Sequence, residues 1–361
     1  MAQEFNELEY RQQLITRGVE PDQAFDLARR MAESQGLTAA QGVSHAQAPT
    51  PSSGSRNKKP ADPASKKGSL TRREQELLNT GLRIAEEAPD NDDLTFMHSI
   101  MCQVGLPRSK VAGMEFERIC GGAGLYLRAG KLWDGKQFVQ QQLPYGPMPR
   151  LVMAYLNTQA LRYKSPEIEV GRSASEFLKR LGKDSTGGRT GTYTTFRKQI
   201  QALSACSMTL GFTTATTAIT YDGKPIKQFE AWLSNDEDQG TLWPGTIIFS
   251  QEYYQTLIGH AVPLDIRAMR TLTGSALAMD IYAMMADRLH RITGRPLILH
   301  WRSLRDQFGQ EYKGKNAEKD FKKAFLSSLQ KVLAVYPQAK VKQVTGGVLM
   351  MPSPPPIPYK A

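Results

Sequence analysis

The residues able to carry out chemistry are few and poorly assembled. Five histidines, His45, His98, His260, His290 and His300, never occur as His-x-His, so a histidine-metal nicking site lacks its ligands. Three cysteines, Cys102, Cys120 and Cys206, show no paired spacing, which indicates neither a disulfide framework nor structural zinc. His98 and Cys102 stand four apart and would share a helix face; without a second ligand pair, core packing is their expected role. Gly121, Gly122 and Gly124 have the wrong spacing for a phosphate loop, and no Gly-x-x-x-x-Gly-Lys-Ser/Thr occurs, so helicase or ATPase work is not expected. Asp236, Glu237 and Asp238 share a polar turn, the one place where a paired-metal nuclease would have to be built. Binding is therefore expected rather than catalysis: no enzyme, no cofactor and no metal.

Side chains suited to recognition are better organised. Stepping at 3.6 residues per turn through 316–336 puts Ala317, Phe321, Ala324, Phe325, Leu329, Val332, Leu333 and Tyr336 on one side. The other side carries Asn316, Lys319, Asp320, Lys323, Ser327 and Gln330, flanked by Lys322 and Lys331. Short polar groups for base edges and lysines for phosphates suit a major groove, although a Lys-rich face is also what an ordinary solvated helix presents. Before this helix stand an apolar run, Leu297 to Trp301, and a short helix opened by Ser303. After it, Ala339–Val344 and Val348–Met351 predict a hairpin turning at Thr345, Gly346 and Gly347, with Lys340, Lys342 and Gln343 placed to reach backbone or minor groove. Strand, helix, turn, helix and hairpin is the order of a winged helix.

The same order is predicted upstream. A helix over Pro149–Tyr163 precedes a strand at Ile168–Val170, and Ser173 with Glu176 forms a capping box for a helix over Ala174–Leu181. A glycine-rich turn containing Arg189 leads to a helix over Thr192–Ala205. Its stripe Tyr193, Phe196, Ile200 and Leu203 faces inward, while Thr194, Lys198 and Gln201, flanked by Thr195 and Arg197, face outward. Strands over Ser207–Thr214 and Ile226–Leu233 supply the expected wing, and Thr246–Phe249 is expected to open the second module. The residues do not repeat; the architecture does.

Charge supports this placement. The whole chain carries +11, with 11 basic against 4 acidic residues from Trp301 to Ala361, 10 against 4 from Gly146 to Ala215, and 4 against 7 over residues 1–48. Two basic regions point to a polyanionic partner. Without a long apolar run or an N-terminal signal pattern, the chain reads as soluble, cytoplasmic and free of membrane contact.

The fold class is thus α+β: two winged-helix DNA-binding domains in tandem after a helical N-terminal segment and a flexible basic linker. The divisions are an acidic helical segment over 1–38, with helices Glu4–Thr16 and Asp22–Ser34, and the linker over 39–68. Helices and small hairpins follow over 69–146, with helices at 69–88 and Leu94–Val104. The first winged helix covers 147–235, the second 246–352, and a Pro-rich tail 353–361.

Several motifs in order resemble the RepA family of plasmid-encoded replication proteins. They are Phe96-Met97-His98-Ser99, Gly105-Leu106-Pro107-Arg108-Ser109, Leu143 to Arg150, Glu169-Val170-Gly171-Arg172-Ser173 and Phe177-Leu178 to Gly182, and the similarity runs from Leu70 to Pro352. The resemblance implies a replication initiator that binds repeated sequences in double-stranded plasmid origin DNA and recruits the host initiator and replicative helicase. Related initiators also repress their own promoters as dimers while initiating as monomers, which leaves a homodimer open here. A sequence-specific repressor without an initiation role is the alternative.

Overall fold

A reciprocal cap opens the first long helix: Glu74 N donates to Thr71 Oγ1 (3.3 Å) and Thr71 N donates to Glu74 Oε2 (2.8 Å), closing two otherwise unpaired amides. The computed structural model describes residue 12 and residues 70–188, 191–213, 216–228 and 245–358. The expected N-terminal helices (apart from helical Gln12), the linker, Arg189 and the Asp236–Asp238 cluster lie outside the described residues. From Thr71 the chain runs through α1 (Arg72–Glu86), β1 (Leu94–His98), α2 (Ser99–Gln103), β2 (Glu115–Cys120), β3 (Ala123–Arg128), β4 (Lys131–Trp133) and β5 (Phe138–Gln140). Next come α3 (Pro147–Arg162), β6 (Glu167–Glu169), α4 (Ala174–Arg180), α5 (Thr192–Ala205), β7 (Ser207–Thr213), β8 (Ala218–Gly223), β9 (Ile226–Gln228) and β10 (Thr246–Phe249). The last third holds α6 (Gln251–His260), β11 (Ala261–Asp265), α7 (Ile266–Thr271), α8 (Ala276–Arg288), β12 (Leu297–His300), α9 (Trp301–Phe308), α10 (Ala317–Val335), β13 (Val341–Val344) and β14 (Gly347–Met350). The described fold is α+β, and a continuous apolar core joins its two halves.

The helix expected over Leu94–Val104 is instead a strand followed by one helical turn. Phe96, Met97, Ile100 and Met101 fit a helical spacing, but a short apolar run fits either period. Long-range pairing decides it: β1 runs antiparallel to β11, Thr95 Oγ1 donates to Ala154 O (3.1 Å) and Phe96 N donates to Thr158 Oγ1 (3.0 Å). His98 then caps α2 by accepting from Ile100 N through Nδ1, so it is buried as structure and not displayed as a ligand.

The wing expected from Ser207–Thr214 and Ile226–Leu233 also needs correction. β7 pairs with β8 and with β3, in a sheet ordered β2-β3-β7-β8, because Met208 and Leu210 bury themselves opposite Leu127 and Leu125. β9 pairs with β10, which pairs with β6, giving the order β6-β10-β9. Thr246–Phe249 therefore closes the first unit instead of opening the second; Ile247 sits opposite Ile168, and Phe249 opposite Ile226, all four buried. The downstream sheet is ordered β12-β14-β13. In both units a helix pair follows the first strand, and the last strand takes the middle position.

One buried and one part-buried ionic group tie distant segments together. Arg150 meets Asp280 through two bonds, Nε to Oδ1 (2.6 Å) and Nη2 to Oδ2 (2.8 Å), and also donates to the carbonyls of Leu106, Pro107 and Gly146. Gly105 permits this: a Cβ there would stand 2.6 Å from Asp280 Oδ1. The second group centres on Glu311, in the loop between α9 and α10. Its Oε1 accepts from Arg118 Nη2 (2.7 Å), its Oε2 accepts from Arg108 Nη2, and Gln307 Nε2 nearby donates to Gln103 O (2.6 Å).

Burial pushes the Glu311 carboxyl up, but Arg108 and Arg118 outweigh it and hold the group below the usual carboxylate range. A depressed folded value means the stabilisation is present above the unfolded pKa and fades as pH falls through the folded one. Glu311→Gln should cost about 2 kcal/mol at neutral pH, the range for hydrogen bonds to charged groups. The difference from the parent chain should shrink below about pH 4. Urea unfolding of both proteins at neutral and acid pH checks this; an equal gap at both would mean that Glu311 does not hold the joint by its charge.

Candidate nucleic-acid interface

In the first unit, the β6–α4 turn and the α4–α5 turn are both built from short-range polar contacts. Ser173 Oγ accepts from Glu176 N (3.1 Å), but the Glu176 carboxylate reaches Arg172 N (2.7 Å), one residue earlier than the expected capping box, and Arg180 Nη2 (2.7 Å). The Arg172 amide, with Arg180, holds the Glu176 carboxyl below its ordinary range. Gly171, at φ +91°, lets the turn close, since a Cβ would approach the same carboxylate at 2.8 Å. Thr186 Oγ1 accepts from Thr192 N (2.9 Å) and so caps α5 in place of Gly191.

The expected outward residues of α5 do not behave alike. Lys198 is exposed, whereas Thr194, Arg197 and Gln201 are half-buried. The Thr194 hydroxyl donates to Gly188 O (2.8 Å) and so ties the helix to the turn. The inward side is as expected, with Phe196, Ile200 and Leu203 fully buried. Gln199 joins it, its Oε1 accepting from Tyr145 N (2.8 Å). Arg189 lies outside the described residues.

On α10 the core stripe is as expected, except that Ser328 is buried while Ala324 and Leu333 are only partly so. Asn316 stands just before the first turn, and Asn316, Lys319, Asp320 and Lys323 are exposed. Lys322 is half-buried with its ammonium 5.0 Å from the centre of the Trp301 ring, a cation–π contact. Ser327, Gln330 and Lys331 are exposed but line a cleft of about 750 Å³ shared with α1, α7 and the start of α5. The polar face is thus divided: the N-terminal half is open, and the C-terminal half faces α1, whose Gly81 lies against the backbone of Ala334. Lys340 and Lys342 are exposed beside the β13–β14 hairpin, whose two-residue turn, Thr345-Gly346, uses φ +86° at Gly346.

The cleft also holds cations that the helical spacing did not single out. Arg73, Lys183 and Arg270 line it with the hydroxyls of Thr192, Thr195 and Ser275. Lys183 donates to Thr273 Oγ1; burial pushes its ammonium down from the usual lysine value, and Arg270 and Arg73 push it further while Glu76 opposes them. Arg270 Nη2 donates to Arg180 O (2.8 Å), while its Nε is buried without a hydrogen-bond partner among the described residues. These three cations come from distant parts of the chain, so only the regional charge excess hinted at them. With Lys331 they outnumber Glu74 and Glu76, the acids that line the same cleft, so an anion such as a phosphate would meet a net positive charge there.

Among the described residues no group of three or more His, Cys, Asp or Glu side chains could hold a metal ion, and no helix is long and apolar enough to cross a membrane. Burial pushes the Cys206 thiol up to about 12 and Cys102 well above its ordinary value, the opposite of an activated nucleophile.

The fold and this surface define a mixed α+β chain with two strand–helix–helix–strand–strand units, each presenting basic side chains from its second helix. Residues 143–301, somewhat less than half of the chain, match the family model for plasmid encoded RepA protein, and over that span the chain is similar to that family. No curated protein and no solved structure gave a significant match. The matched span includes the whole first unit and β12, but ends before α10.

Proposed function

We propose that the chain is a plasmid replication initiator that reads repeated origin sequences with two winged helices. In this reading α5 and α10 enter successive major grooves, with β9–β10 and β13–β14 as the wings. The observation that carries it is the repeated strand order, β6-β10-β9 and β12-β14-β13, each with a basic helix ahead of its second strand. The RepA match over residues 143–301 supports the replication role. The Arg150–Asp280 pair joins α3 to α8, and Glu311 ties the second unit to Arg108 and Arg118; these contacts favour a rigid setting for both units, so that duplex DNA spanning them would bend or strain before opening. Chemistry on DNA is left to recruited proteins, the host initiator and the replicative helicase.

Selection of the full chain against a random duplex library, followed by anisotropy titrations at several salt concentrations, tests this. Direct repeats bound at least about a thousandfold tighter than a scrambled duplex are expected. An isolated palindrome would instead favour a dimeric repressor, and no enrichment with steep salt dependence would mean that the basic faces hold DNA without reading it.

A further inference from the structure

The β4–β5 hairpin displays aromatic rings where a solvated hairpin would hide or omit them. Trp133 is 50% exposed, Phe138 is 67% exposed and Val139 beside them is 37% exposed. Trp133 and Phe138 face each other across the two strands, with ring centres 5.2 Å apart and planes tilted by 59°, so their outer faces remain open. A lone two-stranded hairpin is marginal by itself, and this one is pinned at its base. Gln141 N and Gln140 Nε2 donate to Gly130 O (2.9 and 3.0 Å), and Gly130 packs so closely on the last residue of α5 that a Cβ would stand 2.1 Å from Ala205 O. The aromatic pair is therefore held in fixed relation to the helix proposed to read duplex DNA.

The surrounding side chains narrow the partner. On the hairpin itself Lys131 and Lys136 are exposed, against one acid, Asp134, whose carboxylate accepts both Lys136 N and Gln137 N (2.8 Å each) and so shapes the turn; Arg128, just before it, is paired with Glu115 (3.5 Å). Gln137 and Gln140 are exposed beside them. Apart from Val139 no large aliphatic side chain on the hairpin is strongly exposed, so a broad apolar contact with another protein is poorly served. Cations, amides and open aromatic faces together match a nucleic-acid strand whose bases offer their faces, which only unpaired bases do.

We infer that the β4–β5 hairpin is a stacking platform for unpaired DNA, with Trp133 and Phe138 each taking a base and Lys131 and Lys136 holding the adjoining phosphates. The inference builds on the initiator reading, whose opened origin would supply the strand. The test is anisotropy of a labelled oligothymidylate of about a dozen nucleotides, a length within the usual range of single-strand sites, titrated with the full chain. A selected duplex is titrated in parallel.

The parent chain should bind the oligothymidylate. Trp133→Ala combined with Phe138→Ala should weaken it about tenfold or more, while Trp133→Phe keeps most of the affinity. Lys131→Ala combined with Lys136→Ala should lower the salt slope by about 1.4, at roughly 0.7 per phosphate contact on a single strand. Duplex affinity should stay within about twofold in every variant, since the mutated groups meet only unpaired bases and their phosphates. Failure of the parent chain to bind oligothymidylate, or unchanged binding by the double alanine variant, would overturn the inference. So would a proportional loss of duplex binding, which would place the hairpin in the duplex contact. An oligomer that becomes monomeric on the double substitution, with oligothymidylate affinity intact, would give the patch to a second copy of the chain. Failure to find a preferred duplex, with the single-strand effects intact, would remove the initiator reading and leave the platform standing.

Discussion

Asp280→Asn is expected to destabilise the chain by about 3 kcal/mol or more, the range found when one partner of a buried ion pair is removed. Arg150 and Asp280 are 3% and 4% exposed, so neither charge can turn to water when the other is lost. Asparagine keeps the shape and can still accept one hydrogen bond, so the loss reports chiefly on the uncompensated guanidinium. Arg150→Met should cost more, because the carbonyls of Leu106, Pro107 and Gly146 would lose a donor along with the ion pair. For the same reason, replacing both partners by apolar residues should not restore stability, unlike an isolated buried pair. Urea unfolding measures this as a lower midpoint at constant slope. An Asp280→Asn variant within about 0.5 kcal/mol of the parent, the scatter of neutral surface substitutions, would mean that the network is not what joins α3 to α8.

The reach of the sequence follows from the range of the forces involved. The α10 stripe is legible because Phe321, Phe325, Leu329 and Val332 repeat at helical spacing and all meet one core. The β13–β14 hairpin is legible because Gly346 answers a local conformational need. Pairing between distant strands leaves no such trace. Nothing within Ser207–Thr213 says that its partner is β3, which lies some eighty residues earlier, and nothing in Thr246–Phe249 points back to β6. Local pattern therefore pairs the strands nearest in sequence, while β9 finds its partner in β10, on the other side of residues outside the described set. The candidate site shows the same division. The lysines of α10 can be read from one helix, whereas Arg73, Lys183 and Arg270 become neighbours only when α1, the α4–α5 turn and α7 come together. The motif residues that carry the family resemblance prove largely structural: Gly105, Leu106, Pro107, Gly146 and Arg150 build the buried network, and Gly171 with Ser173 builds the β6–α4 turn.

Lys319→Ala combined with Lys323→Ala is expected to weaken duplex binding at least about tenfold at moderate salt and to lower the salt slope by about 1.8, at roughly 0.9 per lost phosphate contact. Both lysines are exposed on the open N-terminal half of α10, one turn apart on one side, so they would follow the same groove wall. Lys322 is a useful contrast, since its ammonium rests on the Trp301 ring; Lys322→Ala should affect stability as well as the slope. Phosphate contacts position the protein but carry no base identity, so the lysine variants should bind all duplexes more weakly while keeping their order of preference. Asn316→Ala should do the reverse, changing the preferred base at one position by about 1–3 kcal/mol with the slope intact. Ser327 and Gln330 decide how far the duplex reaches. Substitutions there that alter preference would require DNA to enter the cleft against α1, and a fixed ranking would confine reading to the first turns of α10. An unchanged slope and affinity in the double lysine variant would place this helix face away from DNA, leaving α5 as the remaining candidate reader.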